Sequence, residues 1–349
     1  MGRDALRIVL AILALCVAYP ANALTKQGYT VGNYQLSKIG CGTWSWGNRF
    51  LWGYSEEDDA QLQETYEYIT KRGVNWFDTA DSYGTGSLNG RAEELLGRFE
   101  RESKSKKKVC FATKLAPYPW RIGFQSMVKA GEASIERLGR PIDIVQLHWP
   151  PSLGWQEKEY LQGFGSLLQQ KKAKQVGVSN CGPRKLKKLC KESESNGYKI
   201  FSNQVQFSLL SRYPLENGLI AAAEEESVHL VGYSPLALGL LSDQYSIESN
   251  SLPTGVRGIL FREFLPIMTP LLQELRSIAK TRNKTVPQVA LNWNICKGLS
   301  VLVGMRTVQQ AKDNLGALGW SLSAPEVEAL DKAAQKVPKQ LVQNSFQTK

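Results

Sequence analysis

The chain has 349 residues, is 42% hydrophobic and 21% charged, and carries a net charge of +11. After an N-terminal leader it reads as one long globular stretch with no second apolar run of the roughly 20 residues that a membrane-spanning helix needs. Its densest basic run, Lys104-Ser105-Lys106-Lys107-Lys108, has no interleaved aromatic residues and reads as a solvated loop, not a nucleic-acid surface.

In chain order, Arg3 and Arg7 precede an apolar run from Ile8 to Ala18, and Ala21-Asn22-Ala23 has the small-x-small form of a cleavage site. Residues 1–23 are therefore expected to be a signal or targeting segment, and 24–349 the mature domain. A β-hairpin follows: Tyr29-Thr30-Val31, a Gly32-Asn33 turn, then Tyr34-Gln35-Leu36. Eight strands are predicted at Lys38–Gly42, Asn75–Thr79, Val109–Thr113, Ile142–Leu147, Gln175–Ser179, Phe201–Val205, His229–Tyr233 and Ser300–Val303. Their cores are apolar and rich in β-branched or aromatic residues, as strands buried on both faces should be. Amphipathic helices are predicted between them at Asp58–Arg72, Gln125–Leu138, Glu159–Lys171, Arg184–Glu194, Leu215–Ser227, Pro266–Thr281, Val286–Ile295 and Val308–Leu318. The alternation predicts an α/β protein, a (β/α)8 TIM barrel with an N-terminal β-hairpin. An open doubly wound sheet is the alternative, but no G-x-G-x-x-G joins a first strand to a helix.

A barrel of this kind carries its active site where the strands end. The second strand runs into Asp78 and, five residues on, Tyr83; the third ends at Lys114; the fourth at His148. Alone, each has an ordinary structural reading. Together they bring four polar or ionisable groups to one mouth of the barrel, and one of only two histidines in the chain is among them. No spacing suits a metal site or a disulfide framework: beyond Cys16 the cysteines are Cys41, Cys110, Cys181, Cys190 and Cys296, odd in number and irregular.

The order Asp78, Tyr83, Lys114, His148 resembles the catalytic tetrad of the aldo-keto reductase family, from Gly40-Cys41-Gly42-Thr43-Trp44 to the C-terminus. The resemblance implies that Tyr83 donates a proton to a carbonyl oxygen, Lys114 lowers the tyrosine pKa, Asp78 holds Lys114, and His148 orients the oxygen. It also implies a cofactor, NADPH/NADP+, along Gly42, Thr43, Trp44 and Asp78. Ser179, Asn180 and Gln204 would meet its carboxamide, Tyr233 its nicotinamide ring, and Ser234, Pro235 and Leu236 would continue the site. Gly304, Arg306, Gln310 and Asn314 resemble the adenosine-phosphate end, where a guanidinium grips a 2′-phosphate and favours NADPH over NADH.

Aromatic loops, with Trp46, Trp52, Tyr118, Trp120 and Trp149, suggest a wall for a flat substrate. Gly42 to Asn48, Asp78 to Gly90, Tyr118-Pro119-Trp120-Arg121 and Asp313 to Trp320 resemble the pyridoxal reductases of plant chloroplasts. Reduction of pyridoxal to pyridoxine, a vitamin B6 salvage step, is the implied reaction. Val301-Leu302-Val303-Gly304 lacks the proline usual before that glycine, and Pro150-Pro151 departs from the plant pattern beside the substrate mouth. A broad-specificity aldehyde reductase, or an NADPH-binding regulatory subunit of a membrane protein, are the other readings. The leader points to secretory entry, whereas unpaired thiols and NADPH point elsewhere; a complex plastid reached through a bipartite leader reconciles them. The sequon Asn283-Lys284-Thr285 lies in a turn between helices and is expected to be unmodified.

Overall fold

Eight short parallel strands close on themselves in chain order. The computed structural model describes residues 30–31, 34–86, 89–105, 107–247, 251–343 and 347–348, so the expected leader, the hairpin's turn and Ser87-Leu88 lie outside the described residues. Strands β1 (Thr30–Val31) and β2 (Tyr34–Gln35) form the antiparallel hairpin. The barrel strands are β3 (Ile39–Gly42), β4 (Trp76–Ala80), β5 (Cys110–Leu115), β6 (Ile142–Leu147), β7 (Ala173–Ser179), β8 (Ile200–Gln206), β9 (His229–Tyr233) and β10 (Ser300–Gly304). Each pairs with the next, and β10 closes on β3. The expected (β/α)8 barrel with its hairpin is the observed fold.

Burial explains the composition of the strands. Every residue of β4, β5 and β6 is buried, because one face fills the barrel and the other meets a layer of helices. The main core lies between strands and helices and includes Phe77, Phe111, Val145 and Trp293. A smaller cluster, Val31, Leu36, Trp76, Cys110, Ile144 and Val231, joins the hairpin to one end of the barrel interior. Two bonds hold the hairpin there: Asn75 Nδ2 donates to the Gln35 carbonyl at 2.7 Å, and Trp76 Nε1 donates to the Ser37 carbonyl at 2.8 Å.

The helices differ from expectation at identifiable places. Leu215–Ser227, expected as one helix, is two, Tyr213–Glu216 and Leu219–Glu225, parted where Gly218 takes φ 81°. The helix expected from Pro266 begins instead at Thr269, and Pro266 sits in the last turn of a preceding helix, Gly255–Ile267. Proline has no N–H for a continuing helix, and the chain restarts after Met268. Three long helices were not predicted, Arg91–Glu102, Gly255–Ile267 and Ala324–Gln335, nor was the single turn Arg49–Trp52. The first is dominated by charge, yet Ala92, Leu95, Leu96 and Phe99 share its buried side. Five described cysteines, Cys41, Cys110, Cys181, Cys190 and Cys296, are unpaired thiols. Among the described residues no helix is long and apolar enough to cross a membrane.

Gly97 marks a close crossing between Arg91–Glu102 and the end of Phe124–Leu138. A Cβ there would sit 2.5 Å from the Leu138 carbonyl oxygen and 2.7 Å from that of Arg137. In an open helix Gly→Ala stabilises by about 1 kcal/mol. Here the sign should reverse: Gly97→Ala is expected to cost about 1–3 kcal/mol through overpacking. A urea midpoint unchanged or raised would refute the close crossing.

Candidate active site

The ends of β4 and β5 place a buried ion pair at the base of the mouth. Lys114 Nζ contacts Asp78 Oδ1 and donates to the Thr79 carbonyl at 2.7 Å. The ammonium is 1% exposed, so its charge depends on these partners. The other carboxylate oxygen, Asp78 Oδ2, accepts from Gln146 Nε2 at 3.0 Å and Gln204 Nε2 at 2.7 Å. Thr43 fixes the Asp78 backbone, its N–H and hydroxyl donating to the Asp78 carbonyl at 2.9 and 3.0 Å. Strands β3, β4, β5, β6 and β8 thus meet on one carboxylate or its peptide.

Tyr83 and His148 stand above that pair. Lys114 Nζ lies 4.8 Å from the centroid of the Tyr83 ring, and the Tyr83 and His148 rings are 5.7 Å apart. Burial pushes the Tyr83 hydroxyl well above the ordinary phenol pKa, and the Asp78 charge and Tyr233 push it further. Burial outweighs the lowering expected from Lys114, whose ammonium is paired with Asp78, and Tyr83 is held as a neutral phenol. Burial also lowers the pKa of Lys114 itself, against the opposing pull of Asp78. His148 is driven well below the ordinary histidine range by burial and then by Lys114, so its ring is neutral at neutral pH.

These four side chains line a groove with a cavity of about 480 Å³. Gly42, Trp44, Trp52, Ser179, Asn180, Gln204, Tyr233, Ser234, Pro235 and Leu236 line it too, as do Gly304, Arg306, Gln310 and Asn314. Asn180 is locked in place: Tyr233 Oη donates to its Oδ1 at 2.9 Å, and its Nδ2 donates to the His148 carbonyl at 3.0 Å. Asn180, Ser234, Ala237 and Leu238 all take positive φ, between 49° and 64°. Such backbone is uncommon outside glycine and collects where a fold over-determines a site. At the far end Arg306 donates to the Trp52 carbonyl at 2.6 Å and pairs with Asp58 at 3.0 Å, while its Nε is buried without a partner.

Five expected site residues do not line the groove. Thr43 is wholly buried and acts through the Asp78 peptide. Trp46 is also fully buried; it packs on Phe99 and donates to the Met305 carbonyl at 3.1 Å, so it is a core residue and not a substrate wall. Trp120 is 72% exposed and stacks on Tyr118 at 4.6 Å, outside the cavity. Tyr118 and Trp149 lie behind His148, their rings 6.3 Å apart. Conversely, Asp58, Gln146, Tyr245, Arg257 and Gln343 were not singled out from the sequence. Gln146 alternates with the outward residues of an apolar strand, a signal that a polar residue faces the barrel interior. Arg257 lies over the Trp52 ring at 4.6 Å and lines the groove, but comes from a helix that the sequence did not reveal.

The family model Aldo/keto reductase family matches residues 38–335, and the chain belongs to that family. It is 45% identical over 330 residues to the chloroplastic pyridoxal reductase of Arabidopsis thaliana, covering 93% of this chain and 90% of that one. The glycerol dehydrogenase structure from Gluconobacter oxydans superposes with a TM-score of 0.77 at 22% identity, over 93% of this chain and all of the other. An aldo-keto reductase from Klebsiella pneumoniae, solved with NADPH, gives 0.70 at 23% identity, over 90% and 95% of the two chains. These two share the fold.

A neutral imidazole and a neutral phenol predict a flat pH profile. Carbonyl reduction should show no break near pH 6.5, the ordinary histidine value, because His148 titrates well below it and Tyr83 well above pH 10. A loss of kcat/KM centred on pH 6.5 would contradict this electrostatic arrangement.

Proposed function

We propose that this chain reduces an aldehyde with NADPH, that pyridoxal is the aldehyde, and that Tyr83 supplies the proton. The observation that carries the reading is the Asp78–Lys114 pair, which sets Tyr83 and His148 at one end of a groove whose other end is Arg306. The groove has the polar groups an elongated, phosphorylated cofactor requires. Arg306 Nε, Arg257 Nε and Trp52 Nε1 are buried without partners along it. The helix Val308–Leu315 begins beside Arg306, and a helix N-terminus favours anions.

When bound, the cofactor supplies hydride to the carbonyl carbon. Tyr83, a neutral phenol, gives its proton to the carbonyl oxygen, and His148 hydrogen-bonds the same oxygen to orient it. The Lys114 ammonium stabilises the phenolate left behind, and Asp78 keeps that ammonium charged and in place. Ser179, Asn180 and Gln204 hold the carboxamide end, and Tyr233 presents its ring to the nicotinamide. Arg306, with Gln310 and Asn314, holds the 2′-phosphate end. Trp44 and Trp52, packed edge to face at 6.0 Å, add flat apolar surface to the groove. The 45% identity to a plant pyridoxal reductase supports pyridoxal over other aldehydes. That relative is chloroplastic by name, which supports a plastid destination for this chain, reached through the leader.

Tyr83→Phe should cut turnover by about 10²–10⁴-fold with the NADPH Kd unchanged; near-normal turnover would remove Tyr83 from the mechanism. Arg306→Ala should raise the KM for NADPH far more than that for NADH, and equal effects would dismiss the 2′-phosphate role. In a panel of aldehydes assayed with NADPH, pyridoxal should have the highest kcat/KM. A simple aldehyde above it would favour the broad-specificity reading.

A further inference from the structure

His148 can orient a carbonyl oxygen only if the nitrogen facing it carries a hydrogen. A neutral imidazole has one N–H, and which nitrogen holds it follows from the partner of the other. Ser82 Oγ lies 3.3 Å from His148 Nδ1. The remaining nitrogen, Nε2, is left to the cavity that His148 lines. The backbone of His148 is already fixed: its N–H donates to the Leu115 carbonyl at 3.1 Å, and its carbonyl accepts from Asn180. The ring rests 4.6 Å from that of Trp149. What the rest of the site leaves open is the position of one proton.

Ser82 is itself held by its surroundings. Burial keeps the neighbouring Tyr118 a neutral phenol. Tyr118 is held by Trp120 stacked on its ring and by the Arg121 guanidinium 4.9 Å from its centroid. Arg121 is anchored in turn at 2.6 Å to Asp81, the residue next to Ser82, and the Ala116 N–H donates to the same carboxylate at 3.2 Å. A serine hydroxyl has a single hydrogen. An imidazole that keeps its N–H on Nε2 presents Nδ1 as an acceptor, and the serine hydroxyl can then donate to it.

We propose that Ser82 is a positioning residue that sets the tautomer of His148. Ser82 Oγ donates to Nδ1, and the proton of the imidazole is thereby kept on Nε2, where a carbonyl oxygen can accept it. This proposal rests on the reading of His148 as the group that meets the carbonyl oxygen.

The chain has only two histidines, so the tautomer can be read directly. In the full chain labelled with 15N-histidine, two-bond proton–nitrogen correlation spectra near neutral pH give the proton position on each ring. His229, which packs on Phe201 at 4.7 Å at the other end of the strands, serves as the internal reference. The native protein should show His148 protonated on Nε2. Ser82→Ala should give a mixture of tautomers and a five- to tenfold lower kcat/KM for the carbonyl, roughly the value of one hydrogen bond, with the NADPH Kd unchanged. Ser82→Thr should restore both. A native His148 protonated on Nδ1, or an unchanged tautomer in Ser82→Ala, overturns the proposal. Should Ser82→Ala not fold, Ser82→Cys replaces it: a weakly donating thiol in the same place should also mix the tautomers, and an unchanged spectrum overturns the proposal. His148→Gln separates the two readings. If it keeps normal turnover while the native ring is protonated on Nε2, the carbonyl-orienting role fails and the tautomer assignment stands.

Discussion

A lysine ammonium buried to 1% exposure is the constraint around which this barrel is arranged. Burial alone would strip its charge, and an unpaired buried ion costs several kcal/mol. Asp78 meets that need, but a carboxylate in the same place is itself a buried ion with lone pairs to fill. The fold supplies Gln146 and Gln204 to one oxygen and Lys114 to the other. The pair is satisfied only when β4, β5, β6 and β8 are in register. A slip of one residue would turn Asp78 or Lys114 into the helical layer, since neighbouring side chains alternate faces. Barrel closure and site geometry are therefore one condition.

The Arg306 end of the groove depends on a different kind of contact. Arg306 follows the last strand, and its partners, the Trp52 carbonyl and Asp58, come from the segment after the first. Strands β3 and β10 are neighbours only because the barrel closes, so this contact spans 254 positions in the chain. Arg257, from the helix after the ninth strand, lies over Trp52 and brings a second guanidinium to the groove. Two cations on one wall suit a ligand with several phosphates better than the net charge of +11 alone would indicate.

The strands were legible in the sequence because burial on both faces leaves short apolar runs that little else produces. Asp78, Lys114 and His148 stood out because they interrupt those runs at their ends. The loops were less legible. Trp46 and Trp52 belong to the same aromatic stretch, yet one is core and the other lines the groove. Their separation depends on the turn at Gly47, with φ 80°, and on the short helix Arg49–Trp52 between them. Composition does not encode which way a loop tryptophan faces. The helix Arg91–Glu102 escaped notice for a related reason: its buried Glu93, paired with Arg137 at 2.6 Å and bonded to Thr113, reads in sequence as a surface residue. The net protonation of Tyr83 was not legible, because the charge of Lys114 was considered without the burial of the phenol and the competing demand of Asp78.

The two ends of the groove differ in how far the fold constrains them. The tetrad rests on strands whose hydrogen bonds and packing admit one register. One side of the groove is closed by segments distant in sequence: Gln343 lines the groove, its N–H donates to Gln206 Oε1 at 2.8 Å, and the Thr348 N–H donates to the Asn180 carbonyl at 3.0 Å. Loop and tail contacts of this kind tolerate substitution without loss of the barrel, whereas a change at Gln146 or Gln204 would leave a buried carboxylate short of a partner. Divergence can therefore alter the lining of the groove while the geometry of Asp78, Tyr83, Lys114 and His148 stays fixed. Ser82 lies at the junction of the two regimes: it follows a strand end, so its position is set by the barrel, but its neighbour Tyr118 belongs to a loop. Through that pair, a change in the loop can reach the imidazole without touching any strand.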